Sequence, residues 1–439
     1  MGSAYEVNAA GGRSAVRSCA RPAGGDGGGG EGEGAPRRQP ARETAARTYA
    51  RALPVVPVRA RGLTIEDADG RRYLDCASGA GSLALGHNHP VVLEAIRRVL
   101  DSGAPLQVTG LTTPVEDAFV TELLRTLPPG LADHARVRFC GPGGTDPVAT
   151  AVALVRAATG RTRVVTLTGA HHAADATACC PADAGEPPAG VLLEPVRCED
   201  GVLPVPDPWL RDLRRITAEG SVPLIADETE TGVGRTGAFW AVEHSGVTPD
   251  VLVLSRAIGG SLPLAAVVHR ADLDGGHAAG PEAAAFRGNQ LALAAGAATL
   301  AHVREHRLAA HAAALGDRIL SRLRVLAEEF ACVGAVRGRG LMIGMELTAP
   351  GGGCEAPGRG GRSDTPSELA AAVQRECLRR GLIVDLAGPA RNVVRLLPPL
   401  IVTEEQTSAV LERLADAVQA VERGPGDHHG PPHRRREAR

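Results

Sequence analysis

Short apolar runs alternate with longer helix-like stretches through the middle of this chain, and that alternation most narrows its fold. Residues 137–140, Val164–Leu167, 191–193, 224–226 and Val251–Leu254 each read as a short apolar strand, separated from the next by helical or turn-rich sequence. Strands of this kind predict a mostly parallel sheet with helices on both faces. After the first strand, residues 141–145 form a tight loop. Asp146 and Pro147 then supply a side-chain cap and a first-turn proline, and Val148, Val152 and Val155 continue at helical spacing. Ligands of such sheets bind at the carboxyl ends of the strands. The groups placed there are 143–146, 169–175, Glu194, 227–230, Ser255 and Arg256.

A different pattern follows. Leu308–Glu329 reads as a long amphipathic helix, 336–346 as a turn into a strand, 368–380 as a helix, 382–384 and Val393–Leu396 as strands, and 404–421 as a last helix. The expected organisation is a disordered Gly/Ala/Arg-rich arm over 1–45 and an N-terminal part of a small domain with linker over 46–105. A large domain over 106–305, a C-terminal small domain over 306–423 and a disordered tail over 424–439 complete it. Residues 350–363, rich in Gly and Pro, read as a surface loop. A net charge of −2 gives no reason to expect nucleic acid or an anionic membrane as partner. There is no apolar run of membrane-spanning length and no apolar stretch of the kind that marks a secretory leader. Nine scattered cysteines suit buried thiols, Cys179 and Cys180 among them, and the expected location is the cytoplasm. The tail histidines His428, His429 and His433 read as solvated, and no metal site is expected. His171, His172 and Asp175 match no zinc spacing.

One count bears directly on chemistry: all 48 residues of the Lys+Arg total are arginine. The chain has no lysine.

The motifs Gly86-His87-Asn88-His89-Pro90, Glu194-Pro195-Val196, Asp227-Glu228, Thr231-Gly232-Val233-Gly234-Arg235-Thr236-Gly237, Ala257-Ile258-Gly259-Gly260, Phe286-Arg287-Gly288-Asn289 and Arg395-Leu396-Leu397-Pro398-Pro399 run in order along the chain. Together they resemble class III aminotransferases, the fold-type-I group that uses pyridoxal phosphate, and within it diaminobutyrate–2-oxoglutarate transaminases. The resemblance covers about residues 45 to 422. It implies an α/β fold of the fold-type-I kind, with a mostly parallel central sheet sandwiched by helices and a smaller α+β domain. It also implies a dimer.

Carried over residue by residue, the resemblance places Asp227 opposite the pyridine nitrogen and Arg395 at a substrate carboxylate. It places Arg256 where the family has its Schiff-base lysine. A guanidinium stays protonated and forms no ordinary Schiff base. The phosphate loop reads Gly143-Gly144-Thr145, Ala285 stands where a threonine reaches the phosphate across the dimer, and His171, beside His172, stands where an aromatic stacks on the ring. Glu230 takes the place of a neutral amide. Two lost hydroxyls would cost about 3–6 kcal/mol of phosphate binding. No cofactor is therefore expected, with pyridoxal or pyridoxamine phosphate entering only as a weak non-covalent ligand.

Three readings stay open. The chain is a degenerate homologue that acts through binding, as a homodimer or paired with an intact aminotransferase. Or it is an enzyme with new chemistry at Asp227, Glu230, His171, His172 and Arg256, acting on an amino-acid or carboxylate ligand. Or it is a diaminobutyrate-type aminotransferase or a pyridoxamine-phosphate-dependent variant.

Overall fold

A computed structural model describes residues 53–108, 110–141, 146–167, 186–274, 288–349 and 365–423. The arm at 1–45, the loop at 350–363 and the tail from 424 lie outside the described residues. So do Gly143, Gly144, Thr145, His171, His172, Asp175, Cys179, Cys180 and Ala285. The chain separates into two units, Met1–Pro54 and Val55–Arg439, and the elements below belong to the second.

It opens with strands β1 (Pro57–Arg61), β2 (Thr64–Asp67) and β3 (Arg72–Asp75), then helices α1 (Pro90–Asp101) and α2 (Pro114–Leu124). Each helix begins with proline at its first turn, where a missing N–H costs nothing. Thr113 caps α2 by accepting from the Glu116 N–H.

The central layer is built from β4 (Ala135–Cys140), α3 (Asp146–Thr159), β5 (Val164–Leu167), β6 (Gly190–Leu193), a small hairpin of β7 (Val196–Arg197) and β8 (Leu203–Pro204), α4 (Asp207–Glu219), β9 (Leu224–Asp227), β10 (Val251–Leu254) and β11 (Ala265–Arg270). The six long strands form one sheet in the order β4-β11-β10-β9-β6-β5. Pairing is parallel from β5 through β6 and β9 to β10, and β11 alone runs antiparallel to its neighbours. All four residues of β6 and of β10 are buried, as apolar strands covered on both faces must be.

Helices α5 (Gln290–Glu305) and α6 (Leu308–Glu329) follow. Then come β12 (Val333–Arg339), β13 (Met342–Leu347), α7 (Pro366–Arg379), β14 (Leu382–Ile383), β15 (Asp385–Ala387), β16 (Val393–Leu396) and α8 (Glu404–Arg423). A sheet of order β12-β13-β16-β15 forms here. β14 joins β3 in parallel, so the end of the chain completes the sheet that its beginning starts. The sequence reads 336–346 as a turn into one strand, whereas the structure has two strands joined by a tight turn. Gly338 and Gly340 take positive φ there, and a Cβ on Gly338 would sit 2.2 Å from the Met342 carbonyl oxygen. These glycines look like a loop in sequence but permit the hairpin.

One close approach fixes the residues after β10. The single turn Arg256–Gly259 ends at Gly260, whose φ is +56°, and a Cβ on Gly260 would lie 2.3 Å from the Ala295 carbonyl oxygen of α5. Gly296 meets the same turn, with a would-be Cβ 2.2 Å from the Ile258 carbonyl oxygen. Gly260→Ala is expected to destabilise the protein by about 2–3 kcal/mol through overpacking and left-handed strain. Urea unfolding of the variant checks this, and an unchanged midpoint would show that the turn can move away from α5.

Candidate active site

The parallel strands deliver their carboxyl ends to one edge of the sheet. β6 ends into Glu194, β9 ends at Asp227 and leads to Glu230, and β10 leads through Ser255 to Arg256. Glu194, Asp227, Glu230 and Arg256, with Val196, Glu199, Thr229 and Thr231, line a cleft of about 180 Å³. The strand-end rule thus brings Asp227, Glu230 and Arg256 together from positions far apart in sequence.

Arg256 sits at φ +55°, an uncommon conformation for a side chain of its size. Its Nη2 meets Glu230 Oε1 at 2.6 Å and its Nη1 donates to the Ala80 carbonyl oxygen at 2.7 Å. The ion pair of Arg256 thus goes to Glu230 and not to Asp227, the strand-end carboxylate of β9. The backbone of the turn and the Ala80 acceptor aim the guanidinium that way. Asp227 Oδ1 instead accepts the Thr229 N–H at 3.0 Å. Burial raises the Asp227 carboxyl above its ordinary range, against the pull of that N–H and of the Arg256 charge. Burial also raises Glu230, opposed first by Arg256.

Arg395, in β16, has a buried side chain. Its Nη1 donates to Glu199 Oε1 at 2.8 Å and to Cys198 Sγ at 3.2 Å, its Nη2 donates to Asp385 Oδ2, and Glu230 Oε2 lies 3.8 Å from Nη1. As placed, its fork is held by this chain's own carboxylates. Of these, Glu199 is the most exposed and the freest to yield to an incoming carboxylate.

Two acids that the sequence marks no role for stand out. Burial pushes Glu194 up to about 7, helped by the negative charges of Asp227 and Glu230. Burial also pushes Glu228 up to about 7, but its carboxylate is tied to the Thr231 hydroxyl and to the Val242 N–H at 2.9 Å, so it braces the turn and does not face a ligand. The signals for Glu194 in sequence are its place after an apolar strand and its position in the Glu194-Pro195-Val196 motif, neither of which gives it a role. Nothing near Arg395 in sequence announces Glu199 as its partner. Among the described residues no group of acids, histidines and cysteines has metal-holding geometry.

Known proteins bear on this cleft. The chain matches the Aminotransferase class-III family over residues 44–180 and 176–418. It is 41% identical to the diaminobutyrate–2-oxoglutarate aminotransferase of Rhizobium meliloti, over 85% of this chain and 90% of that one. Identity is 35% to the enzyme of that name from Haemophilus influenzae, over 84% and 91% of the two chains. The crystal structure of acetylornithine aminotransferase from Elizabethkingia anophelis superimposes with a TM-score of 0.71 at 25% identity, covering 84% of this chain and 94% of that one.

These matches overturn one sequence-based expectation. A site with no cofactor is not what this family has, because class III aminotransferases depend on pyridoxal phosphate. Tested against that group, the residues fit in one respect and not in another. Asp227, a carboxylate at the end of β9 facing the cleft, suits a protonated ring nitrogen. No side-chain amine exists anywhere in the chain to bind the aldehyde, and Arg256 is committed to Glu230 and Ala80. By its sequence match, its fold and the placement of Asp227, the chain belongs to the class III aminotransferase family.

Proposed function

We propose that this chain recognises a short diamino acid of the diaminobutyrate kind in the cleft at the sheet edge, and does not by itself complete amino transfer to 2-oxoglutarate. The names of the relatives at 41% and 35% identity support the ligand class. So does charge: the four acids Glu194, Glu199, Asp227 and Glu230 outnumber the two guanidinium groups, Arg256 and Arg395, that meet them, which suits the cleft to an ammonium group. Arg395 is the group for the ligand carboxylate, reached if Glu199 gives way.

The single observation behind the second half is Arg256. At the position the resemblance assigns to lysine, it stays charged and is paired at 2.6 Å to Glu230. Pyridoxal phosphate would supply an electron sink when bound and Asp227 would hold its ring nitrogen, while the proton handling that a neutral amine provides would have to come from elsewhere. Action as one subunit beside an intact aminotransferase is consistent with this. The relatives' names favour a second reading, in which the chain catalyses the diaminobutyrate–2-oxoglutarate reaction in full.

The two readings separate in one assay. The purified chain, supplied with pyridoxal phosphate, diaminobutyrate and 2-oxoglutarate, is expected to bind diaminobutyrate by calorimetry and to form no glutamate above a protein-free control. Steady glutamate formation would establish the second reading and remove the first.

A further inference from the structure

We propose that Glu194 is the proton-exchanging group of the cleft: it holds a proton while the cleft is empty and releases it to solvent when a ligand ammonium settles beside it. The proposal rests on the diamino-acid reading above and adds to it the residue that answers the ligand's charge.

Placement is the first ground. Glu194 follows β6 directly and lines the same cleft as Asp227, Thr229, Glu230 and Arg256. The second is what its neighbours already do. Arg256 neutralises Glu230 at 2.6 Å, the Thr229 N–H holds Asp227, and Arg395 holds Glu199. Among the described residues, the Glu194 carboxyl makes no hydrogen bond or ion pair. It is the one cleft acid free to change state without breaking a contact. Glu230 Oε2 is buried and lies 3.8 Å from Arg395 Nη1, so both oxygens of Glu230 are turned to arginines and Glu194 is left to answer a new charge.

The charged groups that act on Glu194 are Asp227 from β9, Glu230 from the turn after it, and Asp200 and Arg197 from the β7–β8 hairpin. Three of the four are acids and oppose its ionisation. Arg256, which lines the same cleft, is committed to Glu230 and to the Ala80 carbonyl oxygen. Burial and these acids hold Glu194 near 7, so at pH 7 its carboxyl is about half protonated. An ammonium beside it favours the carboxylate. The O–H bond of the Glu194 carboxyl then breaks, its proton passes to solvent, and the electron pair stays on the carboxylate that now faces the cation.

Titrating L-2,4-diaminobutyrate into the full chain at pH 7, in two buffers of different ionisation enthalpy, tests this. The expected result is release of about half a proton per ligand bound. Glu194→Gln is expected to keep binding and to lose most of that release, and Glu230→Gln to keep the larger part of it. Binding by the wild-type chain without proton release, or equal release from Glu194→Gln, would overturn the role of Glu194 and leave the diamino-acid reading standing. No binding of diaminobutyrate would overturn both.

Discussion

Replacing Arg395 by alanine is expected to lower the unfolding free energy by about 3–4 kcal/mol and to abolish diaminobutyrate binding. The guanidinium is only 3% exposed, and its two terminal nitrogens donate to Glu199, Cys198 and Asp385, with Glu230 nearby. Removing it leaves Glu230 with Arg256 as its sole cation and leaves Asp385 half-buried without its partner, and uncompensated buried charge is the costly part of losing such a group. Two measurements are needed, because a ligand-binding arginine and a structural one predict different things of Arg395→Lys. Lysine keeps the charge, so stability should recover by half or more, measured by urea unfolding. It lacks the planar fork, so carboxylate binding should stay at least tenfold weaker, measured by calorimetry. Full recovery of both would mean that a point charge suffices at this position.

The fold was legible where burial acts on both faces of a strand. Val251–Leu254 and Val393–Leu396, buried at every residue, are bounded in the structure as their apolar runs suggest; so is the edge strand Val164–Leu167, although its Thr166 is exposed, and Leu308–Glu329 is a helix over those residues, since a face at helical spacing carries its own signature. β12 was not legible, because two glycines and two arginines mask a strand whose geometry requires the glycines. The site was legible to the extent that topology alone decides it. The rule that ligands sit at strand ends puts Asp227, Glu230 and Arg256 at one edge, and the cleft is there. Pairing was not legible. Arg256 lies closer in sequence to other acids than geometry would rank them, and only the left-handed backbone at 256 and the carbonyl of Ala80 select Glu230 over Asp227. Arg395 takes Glu199 across 196 residues of sequence, a choice set by the meeting of the hairpin after β6 with β16. The cofactor expectation failed for a related reason. It weighed contacts at residues 143–145 and 285 by their side chains alone, whereas family membership is carried by the whole length of the chain.

Glu194→Gln is expected to make the protein more stable at pH 8 by about 3 kcal/mol and to leave it nearly unchanged below pH 4.5. The direction follows from where the protons are. Glu194 is raised from the usual carboxylate range to about 7 in the folded chain, so between those values the native state binds a proton that the unfolded state has lost. Such a group contributes its full share of stability below the unfolded value, and that share is lost as pH rises through about 7. Glutamine keeps the shape, never ionises, and so escapes the loss. Glu228 is raised to about 7 by its own burial and keeps its slope in the variant, so the variant's stability curve becomes shallower and does not become flat. Urea unfolding of both proteins from pH 4.5 to 8.5 reads this directly. A difference between them that does not vary with pH would mean that Glu194 ionises in the native cleft as freely as in water, and the cleft would then have no proton to give up when a cationic ligand arrives.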